Sequence, residues 1–431
     1  MLKRLDAALP KVNFAKAQFP EPFHIGLEYN PPEHEHWNIV NIGMQVPESI
    51  QVYICADNCM RGVVMTAYEM AQEERFCCVT ICEADVFKGN MEEQMIEGVS
   101  EAIDRQFQRP KMVICFPVCT HRIMATDMTY VYKTLRARYP DIDFVEAWMD
   151  CLLQKEHILP DYRLRKLMYG PIQKRPLDHS VALLGSEVLH QDHSDLTYLL
   201  KDYEIKQLQN MRSYEEFLDL GAISLTIATI DAGKMANEDL AKRLEIPSLY
   251  MPATYDYKEI DALEEQLCKR LAIKERIDLK DACEEAYEKL LKEVGDRPIA
   301  IDYTANPRPL SLARFLIDHG FHVTTIYAEA FLEEERQDFE YLQEHAPDLI
   351  IEPTIHTGMI GISAPHLDAL AIGPKAAYFQ NTSHFVNMIE GGGLFGYHGI
   401  LEMAHLMHEA IHEEKDLEAI TQKAMGWEAL K

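Results

Sequence analysis

Cys55, Cys59, Cys115 and Cys119 make two Cys-x3-Cys pairs in the first third of the chain. Thiolates in such pairs suit an iron-sulfur cluster or a tetrahedral zinc site, and spacing does not separate the two. Each pair adjoins an apolar run, residues 51–55 and 112–119, followed by a helical pattern. The thiols should therefore sit at the carboxyl ends of parallel strands, where ligands collect in α/β folds. Cys77, Cys78 and Cys82 lie in or at the end of another strand and fit core packing, as do Cys268 and Cys283 within helices.

Other residues could bind ligands or move protons. The run Glu390-Gly-Gly-Gly-Leu-Phe-Gly396-Tyr-His-Gly399 precedes a helical stretch, so its free amides could meet an anion, with Gly396 at the helix start and His384 and His398 beside it. His190-Gln-Asp-His193 and the loop from His356 to His366 are histidine-rich segments of the kind that position substrate at strand ends. In the last helix, His408-Glu409-Ala-Ile-His412 matches the zinc-peptidase pattern of two histidines one turn apart with a water-activating glutamate. The segment is acidic, and its ordinary reading is a solvated helix face.

These groups need elements to hold them. Residues 1 to about 45 read as irregular, broken by Pro20, Pro22, Pro31 and Pro32, after which apolar runs alternate with helical patterns to the end. Strands are expected at 51–55, 76–81, 111–116 and 142–147, then at 180–185, 223–230 and 248–252, then at 297–302, 322–327, 348–352 and 369–372. A basic, proline-containing linker is expected at 162–176. The fold class is α/β, with three Rossmann-like domains built on parallel sheets, over residues 1–170, 171–295 and 296–431. A chain of 431 residues is consistent with that number at about 150 residues per domain.

Composition narrows the partners. A formal charge of −28 argues against nucleic acid or an acidic membrane, because a phosphate surface would repel the chain. No amino-terminal signal sequence and no apolar run of membrane-spanning length is found, so a cytoplasmic protein is expected. Ten cysteines in such a chain read as core thiols plus ligands rather than as disulfides, and cluster chemistry suggests an anaerobic setting.

Several segments together resemble the nitrogenase component 1 superfamily. Cys55-Ala-Asp-Asn-Cys-Met-Arg-Gly62-Val-Val is similar to the element that carries the family's first cluster cysteine. Cys119-Thr-His-Arg-Ile-Met-Ala-Thr-Asp127 is similar to its Cys-Pro-x-Gly-x-Ile-x-x-Asp element, and Glu83-Ala-Asp-Val-Phe-Lys-Gly-Asn90 resembles an acidic turn between the two. Gly396-Tyr-His-Gly399 resembles the Gly-Tyr-x-Gly near the family's carboxyl end. The likeness spans nearly the whole chain. It implies three α/β domains around a pocket and a homodimer or a heterodimer with a paralogous subunit. It also implies a 4Fe-4S or larger P-cluster-like iron-sulfur cluster at the subunit interface, fed by a P-loop ATPase iron-sulfur reductase that uses the ATP. Carried over, Cys55 and Cys119 are the main cluster ligands and Gly62 lies in the ligand element. The family's middle Gly-Pro-x-Gly-Cys turn is shortened here, and Cys59 and Cys115 are extra thiols.

Between Cys151 and Cys268 there is no cysteine, where nitrogenase proper anchors its large catalytic cofactor, so dinitrogen is an improbable substrate. No Gly-x4-Gly-Lys-Ser/Thr run occurs either, which leaves ATP to a partner. The expected function is an oxidoreductase subunit that takes low-potential electrons at the cysteine cluster, with His121, His193, His356 and His384 as pocket groups that deliver protons. The rivals are a scaffold for metallocluster assembly and a zinc hydrolase built on His408, Glu409 and His412.

Overall fold

The computed structural model describes residues 10–23, 38–150, 158–359 and 367–417. It contains three largely parallel sheets and two compact units. One unit comprises Asn30–Glu187 and Tyr203–Tyr250, the other Met1–Tyr29, Val188–Asp202 and Met251–Lys431.

The first unit holds two four-stranded sheets of the same topology. In one, the spatial order is Phe76–Thr80, Ser49–Cys55, Met112–Pro117, Asp143–Glu146, all parallel. In the other it is Glu204–Lys206, Ser180–Leu184, Leu225–Ala228, Ser248–Tyr250, again parallel. Both run second, first, third, fourth, so the strand order reverses between the first and third strands, where α/β folds open a ligand crevice. The central strands Ser49–Cys55 and Met112–Pro117 are buried at every position, which explains their continuous apolar runs. Tyr53 anchors one face, stacked 4.5 Å from Phe116 and 4.7 Å from Phe76.

The expected linker at 162–176 is not one. The helix Pro160–Met168 buries Leu164 and Met168, and Tyr169 and Ile172 join the core that serves both sheets. Arg165 lies buried among Asp161, Glu187 and the Gly185 carbonyl, so a basic residue that reads as surface is a paired interior one. The helix Ile39–Met44 likewise corrects the irregular reading of that stretch.

In the second unit the order is Ile350–Glu352, Val323–Tyr327, Ile299–Asp302, Leu370–Ile372, Phe385–Val386, all parallel, with Val12–Asn13 added antiparallel at one edge. Its reversal point is occupied by the chain itself. Asp302 is fully buried and accepts the Ala305 and Ala376 N–H groups at 2.8 and 2.9 Å. The helices Lys280–Val294 and Gly396–His412 pack on this unit.

Candidate functional site

The first sheet's reversal point is flanked by cysteines. Cys55 ends one bordering strand, and Cys119, two residues past the other, opens the helix Cys119–Ile123. Cys59 stands in the first turn of the helix Asp57–Glu69. Cys55 is buried, Cys119 half-buried and Cys59 exposed, so the set runs from the sheet's interior edge to solvent.

Register decides the remaining thiols. Val52 pairs with Cys115 and Tyr53 with Phe116, and side chains alternate along a strand, so Cys115 faces away from Cys55. Cys115 packs with Ile50, Val52, Ile54 and Tyr132, whereas Cys55 packs with Tyr53, Met60 and Phe116. The structure thus brings together Cys55, Cys59 and Cys119 and leaves Cys115 on the opposite face. Cys55 pairs with Thr80 and Tyr53 with Cys78, which puts Cys78 on the Cys55 face. Cys78 and Cys82 are exposed and Cys77 half-buried, in contrast to the expected core positions.

The thiols feel one another. Burial raises Cys55 far above the ordinary thiol range, with Cys59, Cys78 and Asp57 adding to the effect. Cys59 is raised by burial and then by Cys119, and Cys78 is raised to about 11 by burial, Cys77 and Asp57. A cation bound among these groups would have to displace their protons, so its binding would tighten as pH rises.

His121 lies in the same helix as Cys119 and is buried. Its Nδ1 accepts the Val118 N–H at 3.3 Å, which leaves the proton on Nε2, and that atom is buried with no hydrogen-bond partner. Burial lowers its pKa to about 4, so at neutral pH it is an uncharged N–H donor. Gly62 is half-buried within the helix Asp57–Glu69. Two motif acids have structural work: Asp127 accepts the Tyr130 N–H at 2.9 Å as a helix cap, and Asp85 accepts the Cys82 N–H at 2.9 Å.

In the other unit the glycine-rich turn takes an internal anion. Asp195 is completely buried and accepts the Tyr397 and His398 N–H groups at 2.5 and 3.1 Å, and it also bonds the His398 ring. Gly396 has φ of +71°, and any Cβ there would collide with the Asp195 carboxylate. Glu264, buried and bonded to Asp195, has its pKa raised well above the carboxylate range, by burial first and Asp195 second. The helix start expected to meet a ligand is thus filled by this chain's own carboxylate.

The other histidines do not converge. His193 is exposed and pairs with Glu402 at 3.1 Å, and the His384 Nδ1 is 2.9 Å from the Ala410 carbonyl, about 12 Å further along the same helix. The His356 Nδ1 accepts the Gly358 N–H at 2.9 Å, and His366 lies outside the described residues. Sequence reasoning missed Cys78, Asp195 and Glu264, all of which depend on register or long-range packing.

Among the described residues, one set of three His, Cys, Asp or Glu side chains has its ligand atoms within 4.8 Å of one another: Glu293, His408 and His412. Glu409 instead pairs with His405 at 3.3 Å. No helix among the described residues is long and apolar enough to cross a membrane.

Comparison with known proteins gives a family. The family described as Nitrogenase component 1 type Oxidoreductase matches residues 53–412. The solved structure titled Nitrogenase Cp1 at pH 6.5 is similar at 10% identity, covering 96% of this chain and 95% of that one with a TM-score of 0.64. A second, Nitrogenase Cp1 at pH 5, is similar at 10% identity over 92% of this chain and 90% of that one, with a TM-score of 0.54. No curated protein matches.

Proposed function

Because the chain belongs to the nitrogenase component 1 type oxidoreductase family, we propose that it is the electron-accepting subunit of a nitrogenase-like reductase. Electrons of low potential enter one at a time, from a separate ATP-hydrolysing iron-sulfur protein, at an iron-sulfur cluster held by Cys55, Cys59 and Cys119. They then pass to a substrate bound elsewhere on the protein. The observation that carries this reading is the gathering of those three thiols at the reversal point of the first sheet.

The donor set fits a polynuclear cluster better than a single ion. A tetrahedral zinc with Zn–S near 2.3 Å would hold its thiolates within about 4 Å of one another. No three of the described thiols are gathered within 4.8 Å. When bound, a cluster supplies one-electron storage at low potential. The chain's own residues do the rest. Cys55, inside the sheet edge, excludes water on one side, and the unpaired His121 N–H is available to a sulfur or thiolate. Cys115, facing the other way, is left out of the ligand set, and its work is packing.

Exposed Val64, Met65 and Tyr68 on the Cys59 helix, with Phe87, Ile123 and Met124, form apolar surface in the unit that carries the cysteines. A second subunit, identical or paralogous, would cover it. The division into three domains, 1–170, 171–295 and 296–431, is part of the proposal: each segment contributes the parallel strands of one sheet, and Val12–Asn13 of the first segment joins the sheet of the third, while the cytoplasm is the compartment where such a cluster would remain reduced.

Electron paramagnetic resonance of anaerobically purified, dithionite-reduced protein tests the reading. The expected result is a cluster signal in the wild type that is lost in Cys119→Ala and retained in Cys115→Ala. A signal indifferent to Cys119 would refute the ligand assignment.

A further inference from the structure

The helices Lys280–Val294 and Gly396–His412 run side by side in the same direction. Cys283 Sγ bonds the Tyr397 carbonyl at 3.5 Å, Tyr287 the Ile400 carbonyl at 3.3 Å, and Glu293 reaches His408 and His412. Rising numbers on one helix meet rising numbers on the other, so both carboxyl ends arrive at one place. Each end carries roughly half a negative charge from its aligned peptide dipoles, and a parallel pair sums them where a cation would be welcome.

Three ligand side chains stand at that place. His408 and His412 are one turn apart on the same face, and their rings lie 4.6 Å apart. The His408 Nδ1 is 2.6 Å and the His412 Nε2 3.2 Å from a single Glu293 carboxylate oxygen, Oε2. All three ligand atoms fall within 4.8 Å of one another, and all three residues are exposed. Two imidazoles and a carboxylate are a donor set for zinc or nickel, with water completing the coordination.

We infer that Glu293, His408 and His412 form a surface site for a divalent transition-metal ion, zinc above all, that braces the last helix against Lys280–Val294. The ion would displace the protons now shared between the two rings and Glu293, and lock the two helix ends together. Hydrolysis is not its role. The glutamate that would activate water in the His-Glu-x-x-His pattern, Glu409, pairs with His405 instead, and the ligand from outside the motif is Glu293. The site lies in a different unit from Cys55, Cys59 and Cys119 and does not depend on the electron-transfer reading.

Cobalt(II) titration of the full-length protein tests it, because thiolate ligands give intense charge-transfer bands that imidazole and carboxylate ligands do not. Cys55→Ala/Cys59→Ala/Cys119→Ala should bind one equivalent that shows only weak visible bands, and wild type should bind the same equivalent besides any metal on its thiols. His408→Ala and His412→Ala should lose it, and Glu293→Gln should bind at least about tenfold more weakly. Zinc should raise the melting temperature of wild type but not of the histidine variants. The ligands are exposed, so the variants should fold, and circular dichroism would verify it. The inference is overturned if the triple cysteine variant binds no cobalt, or if folded His408→Ala and His412→Ala bind it as wild type does.

Discussion

Cys55 and Cys115 are both buried, both in central strands and both members of a Cys-x3-Cys pair, yet they face opposite layers of one sheet. Their substitutions should therefore separate cleanly. Cys115→Ala should retain cluster iron and lose about 1–2 kcal/mol of stability through a small cavity, measured by chemical denaturation. His121 makes a second prediction. Its lone buried N–H, if donated to a cluster sulfur, would stabilise the reduced, more negative state. His121→Ala should then shift the midpoint potential in the negative direction in a redox titration followed by electron paramagnetic resonance. An unchanged potential would assign His121 to packing.

The start of the helix Gly396–His412 shows what the sequence could and could not disclose about a site. Glycines before a helix suggest amides open to a bound ligand, but the group those amides meet is Asp195, some two hundred positions earlier, which no local pattern identifies. Gly396→Ala should cost about 1–3 kcal/mol, because it requires a left-handed conformation and displaces Asp195. Glu264 next to it titrates above its unfolded value, so the folded state holds a proton that the unfolded chain releases. Its contribution to stability is full below the unfolded carboxylate pKa and declines as pH rises toward the raised one. Glu264→Gln should therefore gain stability relative to wild type as pH rises from about 5 to about 8, seen in denaturation midpoints. The long apolar runs announced the central strands, because strands buried on both faces carry no alternation. Glu204–Lys206, Phe385–Val386 and the helix Asp231–Leu244 escaped, since they are short edge strands or carry a mixed, charged pattern. The face of Cys78 escaped because pairing register is a tertiary property.

For the molecule as a whole, fold class was readable from the alternation of strands and helices, and the family from four short motifs spread along the chain. The proposed ligand set needed coordinates, because which face a strand cysteine takes depends on register. Exposed apolar side chains in the cysteine-bearing unit predict self-association or pairing with a paralogue. Met65→Asp with Tyr68→Asp should shift sedimentation toward the monomer and lower cluster occupancy together, whereas a purely surface role would change neither. The most direct test is iron and acid-labile sulfide content of anaerobically purified wild type, Cys55→Ala, Cys59→Ala, Cys119→Ala and Cys115→Ala. The account predicts iron and sulfide in cluster proportion in the wild type and in Cys115→Ala, with loss in the other three. A folded wild type free of iron after anaerobic reconstitution, or iron lost only from Cys115→Ala, would contradict it.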